Sequence, residues 1–452
     1  MRVVRRPIIA HQIFVLGVAV FRRSLIVSFL SIAAALLAGC SGGTSTGSSV
    51  PVLAPQSIAS HPLGGYVELK AGLASGRFAH VCDAAAPGDA SCHAIIDTET
   101  GIGKSPQGHG GTPNALPAGY GPAQLQGAYG IAGLTAPAGN TVAIVDAYND
   151  PYLESDLGVY RNAYGLTPCT TSNGCFRKVN QNGIAGSYPK SNGSWAQETS
   201  LDVDMASANC PSCHILVVEV NSASFANLSA GVNTAAKFSG VKSISNSYGG
   251  SESSSESQYA ANYNHAGIAV TASSGDSGYG AQSPASFGTV VATGGTTLTL
   301  SGNSRSNETV WSGAGSGCSA YETQPTWQAA VLPAPGCAKR VIADVSYDAD
   351  PNTGVAVYDS YSYRGTSGWL VFGGTSVASP AIAAIYALAG TANASQYPAS
   401  YTYAHYSKGV DLFDITSGSN SSSGCSLTYL CNGEVGYDGP TGLGSPIGVT
   451  AF

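Results

Sequence analysis

Ser376 lies in Gly374-Thr375-Ser376-Val377-Ala378-Ser379-Pro380 and runs straight into the Ala-rich apolar stretch Ala381 to Gly390. A serine placed there opens a helix. The first helical turn has unpaired N–H groups and the positive end of the helix dipole. Such a serine can attack a carbonyl while neighbouring N–H groups face the oxyanion that forms. Pro380 is expected in the first turn, where its N–H is not needed. The competing reading is a buried Ala-rich core helix with a serine cap.

A nucleophilic serine needs a base. The histidines are His11, His61, His80, His93, His109, His214, His265 and His405. None stands in a His-Gly-Thr helix start after Asp146, so a histidine triad is not expected. Carboxylates offer another base. Glu198 and Asp202 are four residues apart in Gln197-Glu198-Thr199-Ser200-Leu201-Asp202-Val203-Asp204 and share a helix face. Like charges at that spacing repel, and if both are partly buried one acidity falls and they share a proton. A carboxylate base of that kind works best in acid. The plain alternative, two solvated carboxylates, fits poorly with Leu201, Val203, Met205 and Ala206 alongside. A third carboxyl, Asp276, sits in Ser273-Ser274-Gly275-Asp276-Ser277-Gly278 after an apolar run. Kept neutral, it could donate a hydrogen bond to a developing oxyanion; otherwise it is an ordinary turn aspartate.

These residues must be held by an alternation of strands and helices. Thr141 to Val145, Ile215 to Val220, Ser243 to Ser247, Ile268 to Ala272 and Val290 to Ala292 read as strands. Ala196 to Ala208, Ala223 to Ala236 and Ser254 to Ala266 read as helices. Continuous apolar strands separated by helices imply a mostly parallel α/β sheet covered on both faces. Sites in such sheets form beyond the strand C-terminal ends, where Asp146, Asn246 and Asp276 fall. There is no internal repeat.

With these motifs in place the chain resembles the sedolisins, serine-carboxyl peptidases of subtilisin-like, doubly wound fold. Glu198 and Asp202 match the family's Glu-x-x-x-Asp, Asp276 its Ser-Gly-Asp, and Ser376 its Gly-Thr-Ser-x-x-x-Pro, in the family's order. Tyr120 to Tyr129, Val291 to Thr297, Asp344 to Ser346 and the tail from Asp414 to Pro446 match as well, so the resemblance covers 118–452. It implies Ser376 as nucleophile, Glu198 as general base and acid, Asp202 as its partner with a link onward to Asp146, and Asp276 in the oxyanion hole. It also implies that Ser245 to Gly250 pairs with an extended substrate backbone. In the tail it implies one structural Ca²⁺, held by the carboxylates of Asp414 and Asp438 and the carbonyls of Ile415, Glu434 and Gly436, hard oxygen donors suited to that ion. Glu434 stands where the family usually has glycine, and the Cys425/Cys431 loop is an insertion. Family members usually carry a folded prodomain of well over a hundred residues; here only 41–117 precede the matching region, as a short pro-like region (59–117) or a permanent N-terminal layer.

The remaining features concern compartment. Arg2, Arg5, Arg6, Arg22 and Arg23 precede the apolar run Leu25 to Leu37, which ends in Leu37-Ala38-Gly39-Cys40. This reads as a signal peptide over 1–39, and the cysteine after Leu-Ala-Gly resembles a bacterial lipobox. Cys40 would then carry a lipid anchor, followed by a Ser/Gly-rich tether over 40–58, on an exported lipoprotein of the outer membrane or cell surface. Of 11 cysteines, the ten others fall in close pairs (82/92, 169/175, 210/213, 318/337 and 425/431), read as local disulfides that staple loops. Cys210-Pro-Ser-Cys213 follows a helix and precedes a strand, which suits a structural turn better than a redox or zinc site. Without the five signal arginines the chain carries 14 basic and 26 acidic residues, a net charge of −12 that excludes nucleic acid as a partner. The expectation is a monomeric endopeptidase acting on polypeptides at acidic pH. Its rivals are a catalytically idle surface binding module on the same fold, and a serine esterase or amidase.

Overall fold

Val, Ile and Ala dominate the runs that must be buried on both faces, and these runs form the centre of the sheet. The computed structural model describes residues 64–100, 116–390 and 396–452. The expected signal peptide, Cys40 and the tether lie outside the described residues. Residues 59–452 make one unit, which begins with α1 (Gly64–Ser75), β1 (Phe78–His80), β2 (Ser91–Cys92), β3 (Ile95–Asp97) and α2 (Pro122–Ala128).

The chain then alternates: β4 (Thr141–Ala147), α3 (Leu153–Ala163), β5 (Phe176–Asn180), α4 (Gly193–Asn209), β6 (His214–Val220), α5 (Phe225–Ala235) and β7 (Val241–Asn246). A short strand, β8 (Tyr248–Ser251), precedes β9 (Ala269–Ser273), β10 (Gln282–Ser283), β11 (Val291–Ser301) and β12 (Ser304–Val310). β13 (Gly317–Thr323) and β14 (Lys339–Ile342), with the short α6 (Thr326–Ala329) between them, pair with each other, while the main sheet runs β12-β11-β9-β7-β4-β6-β5, with β15 (Val345–Asp348) also on β11. All pairings in it are parallel except β11 with β12. Successive strand residues face opposite sides. Val145 therefore meets Gly231 of α5, whose missing side chain lets the helix close on Val218 and Val220, while the next residue, Asp146, points to the other face.

That other face holds α4 and α7 (Thr375–Ala389), packed on each other and on β4, β7 and β9. Every residue of α4 from Ser194 to Asn209 is buried, because α3, α7 and β16 (Val355–Tyr363) surround it. Asn192 caps its start, accepting from the N–H groups of Ser194 and Trp195. The segment expected as a helix over 254–266 is a 3₁₀ turn over Ser257–Tyr263. Its Ser-rich start gives the backbone competing side-chain partners, as Ser253 and Ser255 do here.

The N-terminal segment is woven into the rest. β3 pairs with β17 (Thr366–Gly373), the strand that leads into Ser376, within a sheet ordered β1-β3-β17-β16. β2 pairs with β8, whose other edge carries β10. Five disulfides join the cysteines as the sequence spacing implied, 82–92, 169–175, 210–213, 318–337 and 425–431. Among the described residues no helix is long and apolar enough to cross a membrane.

Candidate active site

Asp146 is the last residue but one of the central strand β4, Glu198 and Asp202 stand one turn apart on α4, and Ser376 is the second residue of α7. The four are fully buried, and the fold brings them together. Burial pushes Glu198 well above the ordinary carboxylate range, and the charges of Asp202 and Asp146 push it further, while the Ser376 hydroxyl favours its ionised form. Asp202 is raised well above its usual value by burial and by Asp146, against the Ser247 hydroxyl. Burial raises Asp146 above its usual value, against the Thr199 hydroxyl. No oxygen of the three has a hydrogen bond of ordinary geometry, so the Ser376–Glu198 approach is a close contact and not yet a formed bond. The Ser376 hydroxyl instead donates to the Ser247 carbonyl at 3.3 Å.

Two features hold Ser376. Gly374 caps α7 at φ 97°, where a side chain would collide with the His93 carbonyl oxygen and with Asp276 Oδ2. Ser379, one turn on, bonds Ser245 Oγ at 2.9 Å and Thr271 Oγ1 at 3.0 Å, fixing the helix to β7 and β9. Pro380 lies inside the helix, beyond the first turn, which corrects the sequence reading. Its missing N–H would have bonded the carbonyl of Ser376. That carbonyl accepts instead from Ser247 Oγ at 3.4 Å, so the proline couples the serine turn to the residue following β7.

Asp276 follows β9. Its Oδ1 accepts from the Thr375 N–H at 2.7 Å and from the Thr375 hydroxyl at 2.8 Å, while Oδ2 has no partner. Burial raises it to about 7 against those two bonds. A neutral Asp276 would carry its proton on the free Oδ2, beside Gly374. His93 meets Ser376 through its main chain alone, the Ser376 N–H donating to the His93 carbonyl at 3.2 Å. Its ring bonds Ser273 and Gln282, so it is no base for the serine.

The tail residues also converge. Asp414 Oδ1 accepts from the Gly436 N–H at 3.0 Å, and Asp438 Oδ2 from the Glu434 N–H at 3.2 Å. Burial holds Asp438 well above its usual value, the bonds from Thr441 and Glu434 oppose the rise, and the Asp414 charge adds to it. The Lys408 ammonium sits 2.8 Å from Asp414 Oδ2. A hard cation between these mutually repelling carboxyls would have to displace the ammonium from Asp414. Among the described residues no group of three His, Cys, Asp or Glu side chains could hold a metal, so the remaining donors would be carbonyls such as those of Ile415, Glu434 and Gly436.

Sequence reasoning missed the part played by residues 89–94, which lie along β8 and across Ser376. It also missed a second group of buried acids. Burial raises Asp150 to about 6, Glu219 to about 7 and Asp359 to about 8, and takes Asp204 well above its usual value. Asp344, one of the family-matching positions, is tied up by Arg340, Tyr403 and the Ala292 N–H.

A parallel sheet with a serine-bearing helix at its strand ends defines a subtilisin-like α/β fold. No family-level model matches the chain. It is 28% identical to the sedolisin of Pseudomonas sp. (strain 101), over 72% of this chain and 60% of that protein. It is 28% identical to the xanthomonalisin of Xanthomonas sp. (strain T-22), over 73% and 46%. It is 31% identical to the kumamolisin of Bacillus sp. (strain MN-32), over 74% and 63%. The chain thus spans roughly half to just under two thirds of the length of the curated relatives it matches. A solved structure of Pseudomonas sedolisin, a serine-carboxyl proteinase complexed with two molecules of pseudo-iodotyrostatin, superposes with a TM-score of 0.61 at 26% identity, over 73% of this chain and 95% of that one. These likenesses support membership of the sedolisin family.

Proposed function

We propose that this chain is a serine-carboxyl endopeptidase that hydrolyses polypeptides in acid through Ser376, Glu198 and Asp202, with Asp276 in the oxyanion hole. The observation that carries the reading is the convergence of buried Glu198, Asp202 and Asp146 beside Ser376, with no cation among the groups that shift them. Such a cluster is costly unless its protons are used.

The following steps are consistent with this arrangement. The first ionisation of the coupled acids leaves one charge, and Glu198 is the member beside Ser376. It takes the hydroxyl proton as Oγ attacks the substrate carbonyl. Asp202 and Asp146 keep the remaining protons and spread the charge. The oxyanion meets the Ser376 N–H and the proton on Asp276 Oδ2, donors fixed before the reaction. Glu198 then passes its proton to the leaving amine, and water releases the acyl group by the same route. The base needs one ionisation of the cluster, and the oxyanion donor needs Asp276 neutral. Activity is therefore confined between the two, as a bell with its fall near the Asp276 value of about 7.

The test is cleavage of an unfolded protein between about pH 3 and pH 8 by wild type, Ser376→Ala and Glu198→Gln. Activity should be confined to acid and fall about 10²-fold or more in both variants. A folded wild type inert toward proteins and peptides at every pH would favour an idle binding module, and hydrolysis of small esters alone would favour an esterase.

Ca²⁺ bound between Asp414 and Asp438 would relieve their repulsion and pin the tail; it supplies no step of the reaction. Chelation is expected to lower the melting temperature, and excess calcium to restore it. At a hundredfold excess over Kd the linkage is about 2.7 kcal/mol. An unchanged melting temperature counts against the site. Export and a lipid anchor at Cys40 belong to the same reading. They are checked by membrane partition of wild type against Cys40→Ser, which should release the chain into the soluble fraction.

A further inference from the structure

The chain lays one of its own segments through the cleft in the manner of a substrate. Ser91 and Cys92 pair antiparallel with Gly249 and Tyr248 of β8. The His93 N–H donates to the Ser247 carbonyl at 3.1 Å, and the His93 carbonyl accepts from the Ser376 N–H at 3.2 Å. Beyond Ala94, Ile95 and Ile96 pair with Gly373 and Phe372 on the strand that leads into Ser376. The Ala90 N–H bonds the Ala223 carbonyl upstream, and the Ala94 carbonyl accepts from the Val81 N–H. The segment is therefore extended and held on both sides of one peptide bond, His93–Ala94, which lies over the nucleophile.

The side chain at that position is held as specifically as the backbone. The His93 ring is buried, with Nδ1 2.7 Å from Ser273 Oγ and Nε2 3.0 Å from Gln282 Oε1. Oε1 is an acceptor, so Nε2 carries a proton, and the Ser273 hydroxyl, which can donate or accept, pairs Nδ1, so both ring nitrogens are satisfied. Gly249 makes room for it: a Cβ there would stand 2.6 Å from the ring and 2.8 Å from Gln282 Oε1. Gln282 lies on β10, the strand flanking β8 opposite β2, so the pocket is built into the same small sheet that aligns the backbone.

We propose that Ser273 and Gln282 form a primary pocket selective for histidine on the acyl side of the cleaved bond, and that His93–Ala94 is the chain's own first such bond. This rests on the peptidase reading above. Ser376 Oγ bonds to the His93 carbonyl carbon and its proton passes to Glu198. Glu198 gives that proton to the Ala94 nitrogen as the C–N bond breaks. One water then supplies the hydroxyl of the new His93 carboxyl and returns a proton to Ser376. A pocket whose polar groups must both be paired rejects an aliphatic side chain more strongly than its size alone would.

The test has two arms. Full-length wild type and Ser376→Ala are held at about pH 4 and their amino termini read by sequencing and mass spectrometry. A new terminus at Ala94 is expected in wild type only. In parallel, extended peptides differing only in the residue before the cleaved bond (His, Leu, Lys or Glu) are assayed. Their kcat/KM should favour His by about tenfold or more. Gln282→Leu should reverse the order of His and Leu, and Ser273→Ala, a smaller change, should narrow the ratio. Peptides cleaved without preference for His, or a terminus elsewhere, would overturn the pocket and leave the peptidase reading standing. An intact chain that cleaves no peptide would overturn both.

Discussion

In the proposed reaction Asp276 has to remain a hydrogen-bond donor while the neighbouring acids work as bases, and one residue would keep it so. Thr375 occupies Oδ1 with two donors, which leaves the proton on Oδ2. Asn in that place can donate at any pH, whereas Ala cannot donate at all. Asp276→Ala is expected to lower kcat by about 10²- to 10³-fold. Asp276→Asn should retain measurable activity and lose the fall near pH 7 that belongs to the Asp276 proton, raised to about 7. A pH–rate profile for the two variants decides it, and an unmoved alkaline limb in Asp276→Asn would remove Asp276 from the oxyanion role. At this scale the sequence was informative where spacing is local. Glu198 and Asp202 share a helix face whatever surrounds them, and Ser376 opens an Ala-rich run. His93 was illegible, because its meaning comes from Ser247, Ser273, Gln282 and Ser376, all remote in the chain, and Ser91-Cys92 has no strand-like pattern.

Among the elements, α7 and the turn after β7 are joined by a bond that a regular helix would not need. Ser247 Oγ takes the carbonyl that Pro380 leaves open, and its hydroxyl also favours the charged form of Asp202. Ser247→Ala leaves that buried carbonyl without a donor, an expected cost of about 1–3 kcal/mol. Chemical denaturation in a Ser376→Ala background, which prevents self-digestion, measures it; a change within error would mean that water or a local shift replaces the hydroxyl. The strands β4, β6, β7 and β9 were legible because runs such as Ile215 to Val220 are buried on both faces and need no partner to be recognised. Residues 254–266 were not, since their serines offer the backbone other partners. Pro380 was placed a turn too early, because the proline rule describes where an N–H is dispensable in general and not where a neighbouring hydroxyl replaces it.

Across the whole molecule the buried acids set a pH dependence of stability. Outside the coupled acids beside Ser376, Asp150 is raised to about 6, Glu219 and Asp276 to about 7, and Asp359 to about 8, each first of all by burial. Their unfolded values lie near 4. Between those limits the native chain binds more protons than the unfolded one, so stability is full below about pH 4 and is lost as pH rises through 6 to 8. His93, lowered to about 4 by burial, and His80 and His265, lowered by the same cause, pull the other way, but the raised buried acids outnumber them. Thermal unfolding of Ser376→Ala should therefore show a melting temperature that falls from about pH 4 to pH 8. A rise over that range would mean that these acids are not protonated in the fold. This property was not legible in the sequence, where Asp150, Glu219 and Asp359 look like ordinary acids; only the packing of α4 between the sheet and β16 takes them out of water.

The five disulfides close loops of 3 to 19 residues. None joins one half of the chain to the other, so the bridges restrict the unfolded chain only locally, each by about 2–3 kcal/mol of loop-closure entropy. Their effect is felt in time as well as in free energy. A chain delivered amino end first into oxidising surroundings can complete each bridge as soon as its own short stretch has arrived, 82–92 first and 425–431 last. No thiol has to wait, exposed and open to a wrong partner, for a distant stretch still to come.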